Sequence, residues 1–206
     1  HSLSLINLDI IQCTAVLISL IGIILRFYTI AETPDGTSGR NRNQQIADHL
    51  NKTGIYSIVR NPLYLANFII WLGISIYSLS YILVLITSIV FLILYERIIM
   101  LEENYLLNKY PSEFQDYTQK TPIFFPNFKK YKKSNKEFSI KKILKQEYSS
   151  ILSTAISFLY IDILLKYFYT DYIEINEIIT HNHLYIFLIF IIIAIILKMM
   201  KKLKIL

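Results

Sequence analysis

Two apolar stretches, Leu63–Tyr95 and Leu184–Leu197, run further than the core helix of a small soluble domain requires. A bilayer core about 30 Å thick takes about 20 apolar residues as a helix. With 206 residues, 54% of them hydrophobic, the chain is expected to be an all-α, polytopic membrane bundle in a single domain. Ile10–Tyr28 forms a first span. Leu63–Tyr95 is too long for one ordinary helix. The Tyr77-Ser78-Leu79-Ser80 stretch at its centre is therefore expected to fold it into a short hairpin, with helices over 63–78 and 80–97. Ile151–Tyr169 and Leu184–Met200 bring the count to about five spans. The expected order is a span at 10–28, a loop at 29–62, the hairpin at 63–97, a polar segment at 98–150, and spans at 151–169 and 184–200.

Charge orients this arrangement. Five spans put 29–62, 98–150 and the C-terminal residues on one side. Of the 21 Lys and Arg residues, all but Lys166 then fall on that side or at its span ends. The opposite loop carries Asp171, Glu174 and Glu177. Basic loops mark the cytoplasmic side, so the loop at 29–62 and the segment at 98–150 are expected to be cytoplasmic. The net charge of +6 then reads as a basic face on anionic headgroups, not as a nucleic-acid surface. Lys129 to Lys142 holds seven lysines, and Ser139 is placed to cap a short helix lying in the interface. The chain begins with His, and its first apolar stretch lacks a basic flank and a small-residue cleavage site. A trimmed chain without a cleavable signal is expected. The single cysteine, Cys13, allows no disulfide framework and no cysteine-based metal site.

Residues 53–64 carry the densest local signal. Pro is favoured at the first position of a helix, and Asn is among the best N-caps. A helix starting at Pro62 and capped by Asn61, with Arg60 beside it, brings backbone N–H groups, the positive dipole end and a guanidinium to one spot. That is an anion site. Further along, Glu96 and Glu103 share a helix face while Glu102 points about 100° away. The two adjacent carboxylates therefore cannot do identical work. One can face a ligand while the other holds a loop through Arg60. Asp162 and Lys166, four residues apart, are expected to form a structural ion pair. His181 and His183 lack a third ligand, and no metal site is expected.

These residues resemble a known family. Gly54-Ile55-Tyr56-Ser57-Ile58-Val59-Arg60-Asn61-Pro62-Leu63-Tyr64-Leu65-Ala66 is similar to the central motif of the isoprenylcysteine carboxyl methyltransferase and phospholipid methyltransferase group, Gly-Pro-Tyr-x-x-x-Arg-His-Pro-x-Tyr-x-Gly. Arg97 with Glu102 and Glu103 resembles the family's second block, an Arg followed by paired Glu. Tyr110 to Tyr117 and the exit from Pro122 to Pro126 resemble its sequel. The Gly36–Asn41 loop is similar to that of bacterial members. Three departures stand out: Ile55 for Pro, Ala66 for Gly, and Asn61 for the motif's His.

The resemblance implies an integral membrane methyltransferase using S-adenosylmethionine, with the site on the cytoplasmic face of a bacterial inner membrane. It implies a cofactor pocket lined by Tyr56, Asn61, Pro62, Leu63, Tyr64, Glu102 and Glu103, with His49 and Leu50 folding over it. Arg60 and Arg97 are candidates for orienting the acceptor, expected to be a carboxylate or phosphate on a lipid or lipidated molecule. The alternatives are methylation of a phospholipid amine and a non-catalytic lipid-binding scaffold.

Overall fold

The computed structural model describes residues 2–34, 47, 49–134, 136–169 and 182–202. Among them lie six α-helices: α1 (Ser2–Glu32), α2 (Pro62–Tyr77), α3 (Tyr81–Lys109), α4 (Pro111–Lys120), α5 (Ile140–Tyr169) and α6 (Asn182–Lys202). Single 3-10 turns occupy Ile55–Ser57 and Phe128–Lys130. The expected all-α bundle is what these residues form. The Gly36–Asn41 loop and the acidic loop with Asp171, Glu174, Glu177 and His181 lie outside the described residues.

The hairpin turns where the sequence places it. Helix α2 stops at Tyr77, and the Ser80 hydroxyl caps α3 by accepting from the Leu83 N–H at 3.3 Å. Leu79 takes up the reversal at φ 58°. Helix α3 runs on to Lys109, well beyond the apolar stretch, and stops where Pro111 would remove a helical N–H. Pro111 then opens α4.

One expectation needs correction. Ser139 does cap a helix, accepting from Lys142 N at 3.3 Å. That helix is not a separate interfacial piece, because α5 continues unbroken from Ile140 to Tyr169. No Gly or Pro interrupts the segment. Glu147, at its first buried acidic position, is drawn onto α1 by Arg26.

The helices pack around α1 and α2. Helix α3 lies against α2, α5 crosses both α1 and α2, and α6 lies against α5. The α1–α2 contact is made by small residues. A Cβ on Gly22 would stand 2.7 Å from Ile70 Cγ1 and 2.8 Å from the Ala66 carbonyl oxygen. Gly73 meets the backbone of Ala15 and Ser19 as closely, and the Ser19 hydroxyl donates across to the Ile70 carbonyl at 2.9 Å. Small residues permit such approach where water provides no driving force between helices. Beside this seam Ala15, Ile70, Ile74, Tyr77 and Phe158 form a buried cluster. The Tyr77 hydroxyl donates to Asp162, and Lys166 completes that ion pair at 2.5 Å.

The outward faces are apolar. Leu85, Ile86, Ile89, Leu92 and Ile93 on α3 are all about half exposed, a surface suited to lipid. Among the described residues, Leu8–Glu32, Tyr81–Lys109 and Ile140–Phe168 are long and apolar enough to cross a bilayer. The protein is integral to a membrane.

The seam generates a test. Gly22→Val places methyl groups against the α2 backbone, where overpacking costs about 1–3 kcal/mol. Thermal unfolding in detergent should show this loss, while Gly22→Ala should fall between Val and the unchanged protein.

Candidate functional site

The polar loop before α2 is held from both sides. Gly54 sits at φ 60°, a region that suits glycine, and its N–H donates to the Lys132 carbonyl at 2.8 Å. The Lys132 N–H donates to Ser57 Oγ at 2.8 Å, and the Asn127 N–H to the Ile58 carbonyl at 2.9 Å. The Arg60 N–H donates to the Pro122 carbonyl at 2.9 Å. From α4, the Tyr117 hydroxyl reaches the Tyr56 carbonyl at 2.6 Å. The strap after α4 thus runs back along the loop and fixes it.

Arg60 ties the loop to the helices. Its Nε and Nη2 fork onto the two Glu103 oxygens at 2.9 and 3.1 Å. Its Nη1 donates to the Thr118 and Thr121 carbonyls at 3.1 and 3.2 Å. These bonds use four of the five N–H donors of a guanidinium. Arg60 is a brace between α2, α3 and α4.

Asn61 does not cap α2, contrary to expectation. Its side chain makes no capping bond. The amide turns instead towards Glu103 Oε1 at 3.4 Å and the Ile123 carbonyl at 3.5 Å. The Asn61 carbonyl still accepts the first helical bond, from the Leu65 N–H at 3.1 Å. Without a side-chain cap, the N–H groups of Leu63 and Tyr64 in the first turn stay open to a ligand.

The paired carboxylates take different partners. Glu103 holds Arg60, while Glu102 accepts from the Tyr64 hydroxyl at 2.5 Å. Between them and the loop lies a cavity of about 520 Å³. His49, Leu50, Tyr56, Asn61, Pro62, Leu63, Tyr64, Glu102 and Glu103 all line it, as does Arg60. Arg97 does not: it lies on an exposed stretch of α3 outside the lining, with Glu96 beside it. Burial, then the Glu102 charge, raises the pKa of the Tyr56 phenol. Burial likewise raises that of Tyr117. Both stay neutral donors through the physiological range.

Four residues of the cavity wall and its support escape the sequence reading. Arg26, 6% exposed, forks onto a fully buried Glu147 through Nε at 2.7 Å and Nη2 at 2.9 Å. Its Nη1 donates to Asn67 Oδ1, and the Asn67 amide donates to the Tyr95 hydroxyl at 3.2 Å. The Tyr95 ring packs edge-on to Tyr64, 4.8 Å between centroids. One signal was available: Arg26 and Asn67 are polar residues inside apolar helices, where polarity is costly and usually has a purpose. Glu147 hides among lysines and gives no such signal. Among the described residues, no three His, Cys, Asp or Glu side chains gather so as to hold a metal ion.

The profile of the phospholipid methyltransferase family matches residues 10–113. The chain is 36% identical over 89 residues to the nickel-cobalt-cadmium resistance protein NccN of Alcaligenes xylosoxydans xylosoxydans, covering 43% of this chain and 39% of that one. It is 32% identical over 95 residues to the cobalt-zinc-cadmium resistance protein CzcN of Cupriavidus metallidurans, covering 46% and 41%. The chain thus spans about two fifths of the length of these curated relatives. No solved structure matches it.

The brace predicts an asymmetry between neighbouring carboxylates. Glu103→Gln leaves the largely buried Arg60 short of its charge partner and should destabilise by about 1–3 kcal/mol. Glu102→Gln keeps an acceptor for Tyr64 and should cost clearly less. Thermal unfolding of the two variants in the same detergent decides the point, and equal losses would remove Arg60–Glu103 as the organising pair.

Proposed function

The chain belongs to the phospholipid methyltransferase family, and from that premise we propose that it is an S-adenosylmethionine-dependent membrane methyltransferase. The observation that carries the proposal is the meeting, in one cavity of about 520 Å³, of an uncapped helix start and a carboxylate that is not committed to Arg60.

The donor set fits the cofactor. The α-carboxylate of S-adenosylmethionine suits the Leu63 and Tyr64 N–H groups at the positive end of α2. Glu102 suits its ammonium or ribose hydroxyls, with the Tyr64 hydroxyl holding that carboxylate in place. Tyr56, Phe114 and Tyr117 supply aromatic walls. When bound, S-adenosylmethionine supplies a methyl carbon activated by its sulfonium, which an acceptor oxygen takes as the carbon–sulfur bond breaks and its electron pair stays on sulfur.

The protein's own work is placement and exclusion of water. Arg60 keeps α2 and α3 at a fixed separation. The loop through His49 and Leu50 covers one side of the cavity. A carboxylate or phosphate oxygen is already a nucleophile, whereas an amine must first lose a proton to a base. With Tyr64 on Glu102 and Arg60 on Glu103, His49 is the remaining candidate base among the described lining residues, and an anionic oxygen needs none. We therefore favour O-methylation of an anionic group on a membrane lipid. The basic segments on the site's side support a cytoplasmic opening.

Three measurements test this reading. Calorimetry on the purified protein should detect S-adenosylmethionine binding, weakened strongly by Glu102→Ala. Absence of binding to folded protein would overturn it. At Asn61, where the family motif carries His, Asn61→His should retain methyl transfer to lipid and bring in a pH dependence near the imidazole value of about 6.5. Methyl incorporation unchanged in the His and Ala variants across pH would remove position 61 from the reaction. In a Cys13→Ser background, a cysteine at position 175 should react with an impermeant reagent in intact cells and one at Lys133 should not. The reverse pattern would invert the proposed orientation.

A further inference from the structure

The cavity is longer than the cofactor end requires. It continues between the facing sides of α2 and α5 as far as Ile74 and Ser157. From Pro62 to Ile74 a helix rises about 18 Å. The two walls of this arm differ in character. On α2 it is apolar, through Ile70, Trp71 and Ile74. On α5 it carries hydroxyls at positions 149, 150, 153, 154 and 157, a spacing that keeps them on one helix face. Ser153, Thr154 and Ser157 donate to the carbonyls four residues earlier, at 2.7, 2.8 and 2.9 Å. These hydroxyls are satisfied inside the helix and still present oxygen to the arm. Such a channel suits a molecule apolar along one side and oxygen-bearing along the other.

Arg26 stands where the arm leaves the cofactor end. It lines the cavity from α1, as Tyr56 does from the loop. The described bonds, two to Glu147 and one to Asn67, use three of its five N–H donors. One N–H on each terminal nitrogen is left for a ligand. A buried Arg–Glu pair is a poor device for stability, since apolar residues of equal volume often serve as well. Inside a membrane bundle an ionisable group of this kind marks a site. Glu147 lies beyond residue 113, where the family match ends. The clamp on Arg26 thus belongs partly to this chain's own C-terminal half.

We infer that the α2–α5 arm is the acceptor subsite, and that Arg26, clamped by Glu147 and Asn67, binds the anionic oxygens of a lipid phosphate or carboxylate whose chain lies along Ile70, Trp71 and Ile74. This deepens the proposed methyl transfer and rests on it for the acceptor's role. Arg26 takes the place that the sequence reading gave to Arg97. Guanidinium forks match the paired oxygens of phosphate and carboxylate.

Trp71 makes the inference measurable without any methyl transfer. It is the only tryptophan in the chain, and it lines the arm. The full chain in dodecyl maltoside micelles is titrated with short-chain phosphatidic acid, a long-chain fatty acid, or the matching phosphate-free diacylglycerol, and Trp71 emission is followed. S-adenosylmethionine binding is measured separately by calorimetry. Phosphatidic acid or the fatty acid should give a saturable change, and the stronger of the two identifies phosphate or carboxylate. The diacylglycerol should give none. In Arg26→Gln/Glu147→Gln, which removes both charges together and leaves neither buried alone, half-saturation should move by about tenfold or more. Cofactor affinity should stay within about twofold. Ser153→Leu, which fills the arm while keeping the ion pair, should also abolish the saturable change. Identical titrations in the double variant and the unchanged protein would overturn the inference, as would a stronger response to the diacylglycerol. A protein that shows the Arg26-dependent lipid response but does not bind S-adenosylmethionine would leave the subsite standing and overturn the methyltransferase reading instead.

Discussion

Arg60 is the point on which the site depends. One guanidinium joins the loop before α2 to the middle of the chain, through Glu103 on α3 and two carbonyls at the end of α4. Those pieces are more than forty residues apart in sequence. The fork holds the start of α2 against α3 beside the Glu102–Tyr64 pair. The strap at 121–132 adds backbone bonds to the same loop, so its geometry is set by main chain as well as by charge. A lysine could supply the charge at position 60 but not four directed donors in a plane.

A second cationic residue, Arg26, is built quite differently. Arg60 faces a carboxylate at the polar end of the bundle. Arg26 lies against Glu147 on α5, one helical turn or less before the hydroxyl-bearing face of the arm. Burying both charges carries a large desolvation cost, which the fork geometry and Asn67 offset in part. The close α1–α2 seam places Arg26 and Asn67 within reach of each other, because glycines at 22 and 73 bring the two backbones together. Packing between small residues in the membrane thus positions a charge in the cavity wall.

Much of this was legible in the residues, and the limits are physical. Pro62 announced the start of α2, and the Ser80 turn followed from the length of an apolar run against bilayer thickness. The different duties of Glu102 and Glu103 followed from helix periodicity, which needs no tertiary information. What periodicity cannot supply is partnership across distant elements. Arg26 and Glu147 are 121 residues apart. Glu147 reads as one more charge in a lysine-rich stretch. The continuity of α5 was hidden for the same reason: its first turns look interfacial in composition, and only the bond to α1 shows that they belong to the bundle. Arg97 was placed at the acceptor by resemblance alone, and its face of α3 turns outward.

Asn61 shows how a local rule yields to its surroundings. Asn before Pro at a helix start is a strong capping signal, and capping is worth about 1 kcal/mol. The amide nevertheless turns towards Glu103 and the Ile123 carbonyl. The first-turn N–H groups are left for a ligand. A side-chain cap there would occupy the donors that an anionic cofactor group needs, so its absence favours binding. An amide performs this task without ionising. In the proposed chemistry an anionic oxygen already carries its electron pair, and no proton has to move at position 61. On that argument Asn in place of the motif's His would alter the pH response of the proposed site and leave the proposed chemistry intact.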